Sequence, residues 1–263
     1  MKYLCQPQNK IIHLRYFVQF SYQGKSYHGW QKQPNAISVQ EVLENAFSLL
    51  LRETVSLTGA GRTDAGVHAR EMFAHFDTDA VFNSTELIHR LNAFLPEDIA
   101  VIGIFEVPVD AHARFDATER TYEYWVVQNK DPFLVDAAYY VKYPLNIEEM
   151  NKAAAILVEH KDFECFSKSN TDVNTYLCDV RKAIWVKDGS KFIFTISADR
   201  FLRNMVRAIV GTLIDVGQGK STMADIESIL ASKDRSEAGV SVPAKGLYLT
   251  AIQYPKNIIE HNG

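Results

Sequence analysis

Short strand patterns separated by amphipathic helices occur twice along this chain, and their order constrains the fold more than any other feature. Before residue 108, the pattern predicts strands at 15–22, 72–77 and 101–107 and helices at 38–53 and 83–96. After residue 120, it predicts strands at 121–128, 180–188, 191–197 and 246–252 and helices at 146–160, 201–217 and 222–232. Strands joined by short turns and interrupted by separate helices are typical of antiparallel sheets with helices on one face. We therefore predict an α+β fold with two similar halves, residues 1–112 and 113–263, although no sequence repeat relates them.

Local signals mark where several elements begin and end. Ser38 and Glu41 have the spacing of a capping box at a helix start, and Asn146 and Glu149 have the same spacing. Pro96 ends the helix that precedes it. Residues 107–120 show little periodicity, which predicts a connector between the halves.

Composition narrows the class of protein. With 263 residues, of which 47% are hydrophobic, the chain has enough apolar side chains for a core, and this excludes wholesale disorder. No apolar run reaches the length of a membrane span, and the first residues lack a signal-peptide pattern. Cys5, Cys165 and Cys178 are widely spaced without a CxxC pair, which favours reduced thiols in a cytoplasmic protein over a disulfide framework or a metal site. Because the formal net charge is −4, a nucleic-acid ligand requires basic residues gathered on one face.

The stretch "GAGRTDAGVHAR", residues 59–70, is the least typical of ordinary structural sequence. Its glycines can simply mark a bend where a strand ends, and it lacks the GK[ST] ending of a P-loop. If residues 62–64 are extended, Arg62 and Asp64 project to the same side, and a neighbouring guanidinium favours an ionised carboxylate. Such an aspartate can act as a nucleophile, a base or a stabiliser of positive charge. A glycosidase normally uses two carboxylates, and no partner motif stands out here.

Two further pairs of residues can each be interpreted as structural or as functional. Tyr122 and Tyr124 share one face of a predicted strand, where either ring can be core. Arg203 and Arg207 are four residues apart on a predicted helix, which places them on one face. Two like charges at this spacing usually mark a solvated face, and a phosphate or a carboxylate would relieve their repulsion.

Six segments, taken together and in this order, resemble the family of tRNA pseudouridine synthases of the A type, which isomerise uridines in the anticodon arm. "GAGRTDAGVHA" resembles the catalytic motif of that family. The other segments are "SYQGKSYHGWQKQPNAISVQEVLENA", "LNAFLPEDIAV", "AHARFDATERTYEYWV", "FLRNMVRAIVGTLIDVG" and "AKGLYLTAIQYP". Gln23 departs from the family, which commonly has an aspartate there, but it lies outside the catalytic motif.

The resemblance implies a pseudouridine synthase fold with ferredoxin-like halves and an active-site cleft between them. It implies that Asp64 is the catalytic aspartate and that Arg207 forms an ion pair with it. Tyr122 then stacks on the target base and removes its C5 proton, and Arg62 holds Asp64 ionised or contacts a phosphate. Attack of the aspartate on C1′, attack on C6 and removal of a sugar proton all stay open. The net reaction is an isomerisation, so no cofactor and no metal is expected.

The resemblance also implies the partners of the chain. We expect tRNA to bind through its anticodon arm, at positions 38 to 40, to a homodimer whose clefts each use both subunits. Arg203 is a candidate RNA contact, and the candidate contacts to the RNA backbone are Arg114, Arg120, Lys168 and Lys245. We expect His68 to be part of the packing of its loop. A non-catalytic RNA-binding protein of the same fold and an aspartate-dependent nucleosidase are the competing hypotheses.

Overall fold

Two β-α-β-β-α-β units share one sheet in the computed structural model, which describes residues 14–168 and 174–259. The first unit contains β1 (Leu14–Tyr22), α1 (Val39–Leu51), β2 (Thr58–Gly59), β3 (His68–Thr78), α2 (Ser84–Phe94) and β4 (Ile99–Val107). The second contains β5 (Glu119–Val127), β6 (Tyr139–Tyr140), α3 (Ile147–Glu159), β7 (Val180–Asp188), β8 (Lys191–Ala198), α4 (Met205–Gly217), α5 (Met223–Ser232) and β9 (Leu247–Gln253). The short β6 and the helix α5 are additions to the repeated pattern. The predicted α+β class and the similarity of the two halves are confirmed.

The order of the strands shows the relation between the units that the sequence hides. The first unit has the order β4-β1-β3, with β2 on the edge of β3 opposite β1, and the second has β9-β5-β8-β7. Numbered within each unit, both orders are 4-1-3-2, the ferredoxin-like arrangement of two antiparallel halves. The prediction gave each half its own antiparallel sheet. In the structure the two sheets are continuous, because β3 and β9 pair in parallel at His68↔Tyr248 and Ala69↔Leu249.

Two strands, β2 and β9, pair along one edge of β3, and this determines where the loop after β2 leaves the sheet. The other edge of β3 is occupied by β1 along most of its length. On the shared edge, β2 pairs with His75 and Ala74, whereas β9 pairs with His68 and Ala69. Residues 60–67 therefore leave the sheet between the two partners, at the junction of the units.

Two large clusters of buried side chains form the core. The first gathers side chains of the first unit around Phe17, Phe47 and Phe73, and also takes Leu249 and Tyr254 from the C-terminal end. The second gathers side chains of the second unit, and it takes Val67 from the first. Tyr122 packs against both clusters. A division at residues 112 and 113 stays a prediction, and the packing shows each unit contributing to the core of the other.

The two faces of β5 show how the second unit is layered. Tyr124 and Val126 point into the large cluster that contains residues of α3 and α4. Trp125 and Val127 point the other way, against Ala138 and Tyr248, with Leu134 packed beside them. Helices therefore cover one face of this strand, as predicted, and the segment around residues 132–138 covers the other.

Side-chain caps explain why the helices begin where they do. Ser38 Oγ accepts a hydrogen bond from the Glu41 N–H, and Asn146 Oδ1 accepts one from the Glu149 N–H. These bonds satisfy backbone donors that the first turn of a helix leaves unpaired. Both predicted helix starts are confirmed. The Leu95 N–H closes the last turn of α2 directly before Pro96.

The predicted helix at 201–217 was too long by four residues at its start. Asn204 has a left-handed backbone conformation, with φ of 68°, and α4 begins only at Met205. Asparagine is one of the few residues that adopt this conformation readily. Arg203 consequently lies before the helix and does not share a helical face with Arg207.

Two of the three cysteines lie within the described residues, and neither is part of a disulfide. Cys165 and Cys178 are buried free thiols, and burial raises the pKa of each to about 12, so both are neutral. Cys5 lies outside the described residues. No helix in the described ranges is long and apolar enough to cross a membrane.

The connector between β4 and β5 is ordered by bonds from its backbone to histidine side chains. His75, on β3, accepts a hydrogen bond from the Ala113 N–H at its Nδ1 atom. Nδ1 of His112 accepts hydrogen bonds from the N–H groups of Arg114 and Phe115. His75 is 8% exposed, and burial is the main cause that lowers its pKa to about 4.

We expect His75 to make the protein sensitive to acid. Between pH 6.5 and about 4 the unfolded chain binds a proton at His75 and the folded chain does not, so stability present above pH 6.5 is lost as the pH falls. Each pKa unit corresponds to about 1.4 kcal/mol. His75→Asn keeps an acceptor near Nδ1 and removes the titration. Urea unfolding at pH 7.5 and 4.5 should show a loss smaller by roughly 2 kcal/mol in the variant. An equal loss in both proteins would contradict this assignment.

Candidate active site

Hydrogen bonds from β1 and from the segment after it fix the loop that carries Asp64. The Trp30 N–H donates to the Thr63 carbonyl at 3.3 Å, and the Gly66 N–H donates to the Tyr27 carbonyl at 3.3 Å. The Thr63 hydroxyl lies 2.8 Å from the hydroxyl of Tyr22, on β1. The backbone on both sides of Asp64 is therefore fixed by the first unit, and its side chain faces the second.

Glycine occurs at three positions in and before this loop, and its physical reason differs from one to the next. Gly59 lies under the Trp30 ring, where an added Cβ would be 2.5 Å from ring atoms. Gly66 has a φ of +80°, which side chains rarely tolerate. Gly61 faces open space within 4 Å of where a Cβ would be. Two of these glycines are therefore required by the fold, and Gly61 lies where the surrounding space is open.

Two arginines of the second unit surround the Asp64 carboxylate. Arg207 Nη1 lies 3.3 Å from Asp64 Oδ2, and Arg203 Nε lies 4.0 Å from Oδ1. Arg207 is itself oriented, because its Nε donates to the Val242 carbonyl at 2.8 Å. The Asp64 side chain keeps 29% of its surface exposed. The expected Arg207–Asp64 ion pair is present, and the carboxylate can be reached from solvent.

The predicted pairing of Arg62 with Asp64 is wrong. The Arg62 side chain is exposed, and the ion pairs of Asp64 within the described part of the chain are with Arg203 and Arg207. Residues 62–64 are not part of a strand, so the alternation on which the prediction rested does not apply. A contact between Arg62 and a phosphate stays a prediction.

Tyr122 lies at the junction of the two units, close enough to Asp64 for the two to interact electrostatically. Its ring meets Phe201 edge-on, with centroids 5.2 Å apart. Burial raises the pKa of Tyr122 to about 12; Asp64 adds to the rise and Arg120 opposes it. The hydroxyl is therefore protonated at neutral pH. Tyr124, on the same face, is fully buried and donates to the Pro243 carbonyl, so it is core.

Arg120 was predicted to contact the RNA backbone, and the structure contradicts this. Its side chain is half-buried, and its guanidinium donates to four backbone carbonyls. They are those of Ala60 at 3.1 Å, Arg114 at 2.6 Å, Ala117 at 3.0 Å and Asp199 at 2.8 Å. Ala60 precedes the Asp64 loop, and Asp199 belongs to the second unit. Arg120 therefore joins the two sides of the site, a position that only the tertiary structure reveals.

The other candidate contacts differ in position. The Lys168 N–H donates to the Arg203 carbonyl at 3.0 Å, so Lys168 lies beside the site with its side chain exposed. Arg114 is exposed next to the carbonyl that Arg120 binds. Lys245 Nζ donates to the Val135 carbonyl at 2.6 Å, which holds the segment covering the opposite face of the sheet.

The expected packing role of His68 is confirmed. The residue is 2% exposed, and its ring stacks on Tyr248 with centroids 4.6 Å apart. Its Nδ1 accepts from the Gly24 N–H, so Nε2 carries the hydrogen that faces the Lys245 carbonyl at 3.1 Å. Burial lowers the pKa of His68 and keeps the ring neutral. The end of the Asp64 loop is thereby attached to both units.

We expect Arg120→Lys to destabilise the fold strongly. An ammonium group cannot reach four carbonyls arranged around a planar guanidinium, and buried acceptors without a donor cost about 1–3 kcal/mol each. Urea unfolding should show a loss of roughly 2–4 kcal/mol. The matched control is Arg114→Lys at an exposed side chain of the connector before β5, which should stay within about 0.5 kcal/mol of the parent. Equal stability of both variants would contradict the role of Arg120.

Comparisons with known proteins agree with this geometry. The model of a tRNA pseudouridine synthase family matches residues 19–116 and 153–255. The chain is 48% identical over 245 residues to tRNA pseudouridine synthase A of Parabacteroides distasonis, covering 93% of this chain and 97% of that protein. It is 50% identical over 247 residues to the protein of that name from Bacteroides thetaiotaomicron, covering 93% and 92%. It is 42% identical over 235 residues to that of Thermoanaerobacter pseudethanolicus, covering 89% and 96%. The chain belongs to the tRNA pseudouridine synthase family.

Proposed function

We propose that this enzyme, an isomerase that converts uridine to pseudouridine in tRNA, acts at positions 38 to 40 of the anticodon arm and uses Asp64 as its catalytic carboxylate. The observation that carries the proposal is the partly exposed Asp64 carboxylate between Arg203 and Arg207, with Tyr122 close by. A purely RNA-binding protein has no need of a carboxylate at the centre of its basic residues, since phosphates would be repelled by it.

The reaction requires little beyond a positioned carboxylate. The N1–C1′ bond of uridine breaks, the base turns, and C5 bonds to C1′; C5 then loses a proton and N1 gains one. Atoms and electrons balance without an oxidant or a group donor. Asp64 can attack C1′, attack C6 or remove a sugar proton, and each route starts from an ionised carboxylate. Arg207 pairs with the carboxylate and orients it, because its guanidinium is fixed to the Val242 carbonyl.

Tyr122 is the second catalytic residue that we propose. Its ring, half-buried between the two clusters, offers a face for the uracil base. Its hydroxyl is protonated in the resting site, so it can accept the C5 proton only if its own proton passes to another base. Asp64, whose charge acts on the Tyr122 hydroxyl, can take that proton.

The substrate is held, in our proposal, by exposed cations around this centre. Arg203 has 61% of its side chain exposed, and Lys168 is attached beside it through the backbone. Arg62 and Arg114 are exposed on the other side, and all four contact tRNA phosphates. A cytoplasmic homodimer would gather further positive charge along one groove of a chain whose net charge is −4, and sedimentation equilibrium measures its stoichiometry.

Replacing Asp64 should abolish the chemical step and leave binding intact. Asp64→Asn keeps the size of the side chain and removes its charge, and Asp64→Ala excludes reversion by deamidation. Tritium release from C5-labelled uridine in tRNA, with excess enzyme, should fall below detection in both variants. Affinity for tRNA should be equal to that of the parent or slightly higher, because repulsion from phosphates is relieved.

The matched control for Asp64 is Asp188→Asn. Asp188 lies at the end of β7, paired with Lys191 at 3.5 Å and 66% exposed. This variant should release tritium at the parent rate. A folded Asp64→Ala protein that releases tritium at a near-normal rate would refute the mechanism.

Tyr122→Phe should slow catalysis by about two to four orders of magnitude and change tRNA affinity little, since the ring remains. Because the pKa of Tyr122 is about 12, its small phenolate fraction rises tenfold per pH unit from pH 7 to about 10, whereas the neutral hydroxyl stays the dominant form. In our proposal the neutral hydroxyl reacts by passing its proton to Asp64, so the single-turnover rate should show no tenfold rise per pH unit there. Tyr124→Phe, on the same face of β5, should lose about 1 kcal/mol of stability and keep its activity. A rate that rises tenfold per unit would mean that Tyr122 reacts as a phenolate.

A further inference from the structure

The connector before β5 presents an aromatic ring that neither the fold nor the chemistry described above uses. Phe115 is 74% exposed, although phenylalanine is a residue type that is usually buried in the core. We infer that Phe115, flanked by Arg114, is a stacking platform for an RNA base beside the target uridine. This inference rests on the proposed function, because it names a further contact of the same substrate.

Arg120 places this platform at the edge of the active site. One nitrogen of its guanidinium, Nη2, donates to the carbonyls of both Arg114 and Ala60, at 2.6 and 3.1 Å. One nitrogen atom therefore bridges the two carbonyls, which lie close together. Ala60 begins the loop that carries Asp64, and Arg120 also interacts electrostatically with Tyr122. Phe115 follows Arg114 directly, so its backbone is one residue along the chain from a carbonyl that shares a hydrogen-bond donor with the Asp64 loop.

The ring is held in place before any ligand binds. His112 Nδ1 accepts hydrogen bonds from the N–H groups of Arg114 and Phe115, at 3.1 and 3.3 Å. The His112 N–H donates to the Asp116 carboxylate at 2.6 Å, which closes the turn. The imidazole lies 4.3 Å from the Phe115 ring, tilted by 35°. A preorganised ring pays little entropy when a ligand stacks on it.

The chemistry of the platform suits a nucleobase. An exposed aromatic ring binds any base through its π-face. The Arg114 guanidinium lies over the Phe115 ring, 5.7 Å from its centroid, and a base that stacks there brings its phosphate within reach of this cation. When an enzyme extrudes a uridine from a stem or a stacked loop, the adjacent base loses a stacking partner. Phe115 supplies a replacement and thereby stabilises the RNA with the uridine turned out.

The test uses an anticodon stem-loop RNA with 2-aminopurine next to the target uridine, since stacking quenches the fluorescence of this base. The variants are Phe115→Ala, Phe115→Leu and Phe115→Trp in the full chain. Loss of the ring in the Ala and Leu variants should weaken binding by roughly 5- to 150-fold, whereas Trp should bind at least as tightly as the parent. The fluorescence of the bound RNA should be quenched by the parent and by Trp, and should be brighter with Ala and Leu.

Phe94→Ala is the matched control, because Phe94 is an exposed phenylalanine (54%) at the end of α2, which packs on β4 at the far edge of the sheet. It should bind and quench as the parent does. Thermal unfolding of each variant should match the parent, because the Phe115 side chain is mostly in solvent.

Two results would overturn the platform. One is parental binding and quenching by Phe115→Ala, and the other is parental behaviour of Phe115→Leu, which would reduce Phe115 to a simple apolar contact. Tritium release from tRNA by the parent enzyme is measured in parallel. Its absence would refute the proposed function, whereas its presence together with an unaffected Phe115→Ala would refute the platform alone.

Discussion

The parallel pairing of β3 with β9 is the constraint on which the rest of this structure depends. It covers only His68 and Ala69 of β3, and the remainder of that edge belongs to β2. Because one edge cannot pair with two strands at the same residues, the chain between Gly59 and His68 must leave the sheet. The same pairing brings the second unit next to that departing loop. The position of Asp64 therefore follows from the competition of two strands for one edge.

The site is built from charges and donors that each unit supplies to the other. Asp64 comes from the first unit and its partner Arg207 from the second, at 3.3 Å. Arg120 binds carbonyls on both sides, and Tyr122 packs against both hydrophobic clusters. An ion pair that is partly exposed contributes little to stability by itself. We therefore assign the stability of the cleft to packing and to the four hydrogen bonds of Arg120, and the chemistry to the Arg207–Asp64 pair.

Predictions from local signals succeeded where the physics is local. The caps at Ser38 and Asn146 form because a side chain and an N–H three residues later meet in any helix. Predictions about the site failed where a regular element was assumed to continue. Arg203 was placed on a helix that Asn204 prevents from starting earlier, and Arg62 was placed by strand alternation in a segment that is not a strand. The resemblance, in contrast, paired Arg207 with Asp64 across 143 residues of sequence.

By itself, the sequence determined the order of helices and strands, the residues that begin the helices and the family, because periodicity, capping and motifs are properties of neighbouring residues. Only the tertiary structure decided that the two halves share one sheet, because strand order depends on contacts between distant segments. It also decided that Arg120, on β5, is half-buried and bound to four carbonyls, whereas Arg114 and Phe115, in the connector before β5, face solvent. The sequence shows that a residue is an arginine and carries a charge. The exposure of that arginine, however, depends on which other parts of the chain pack around it.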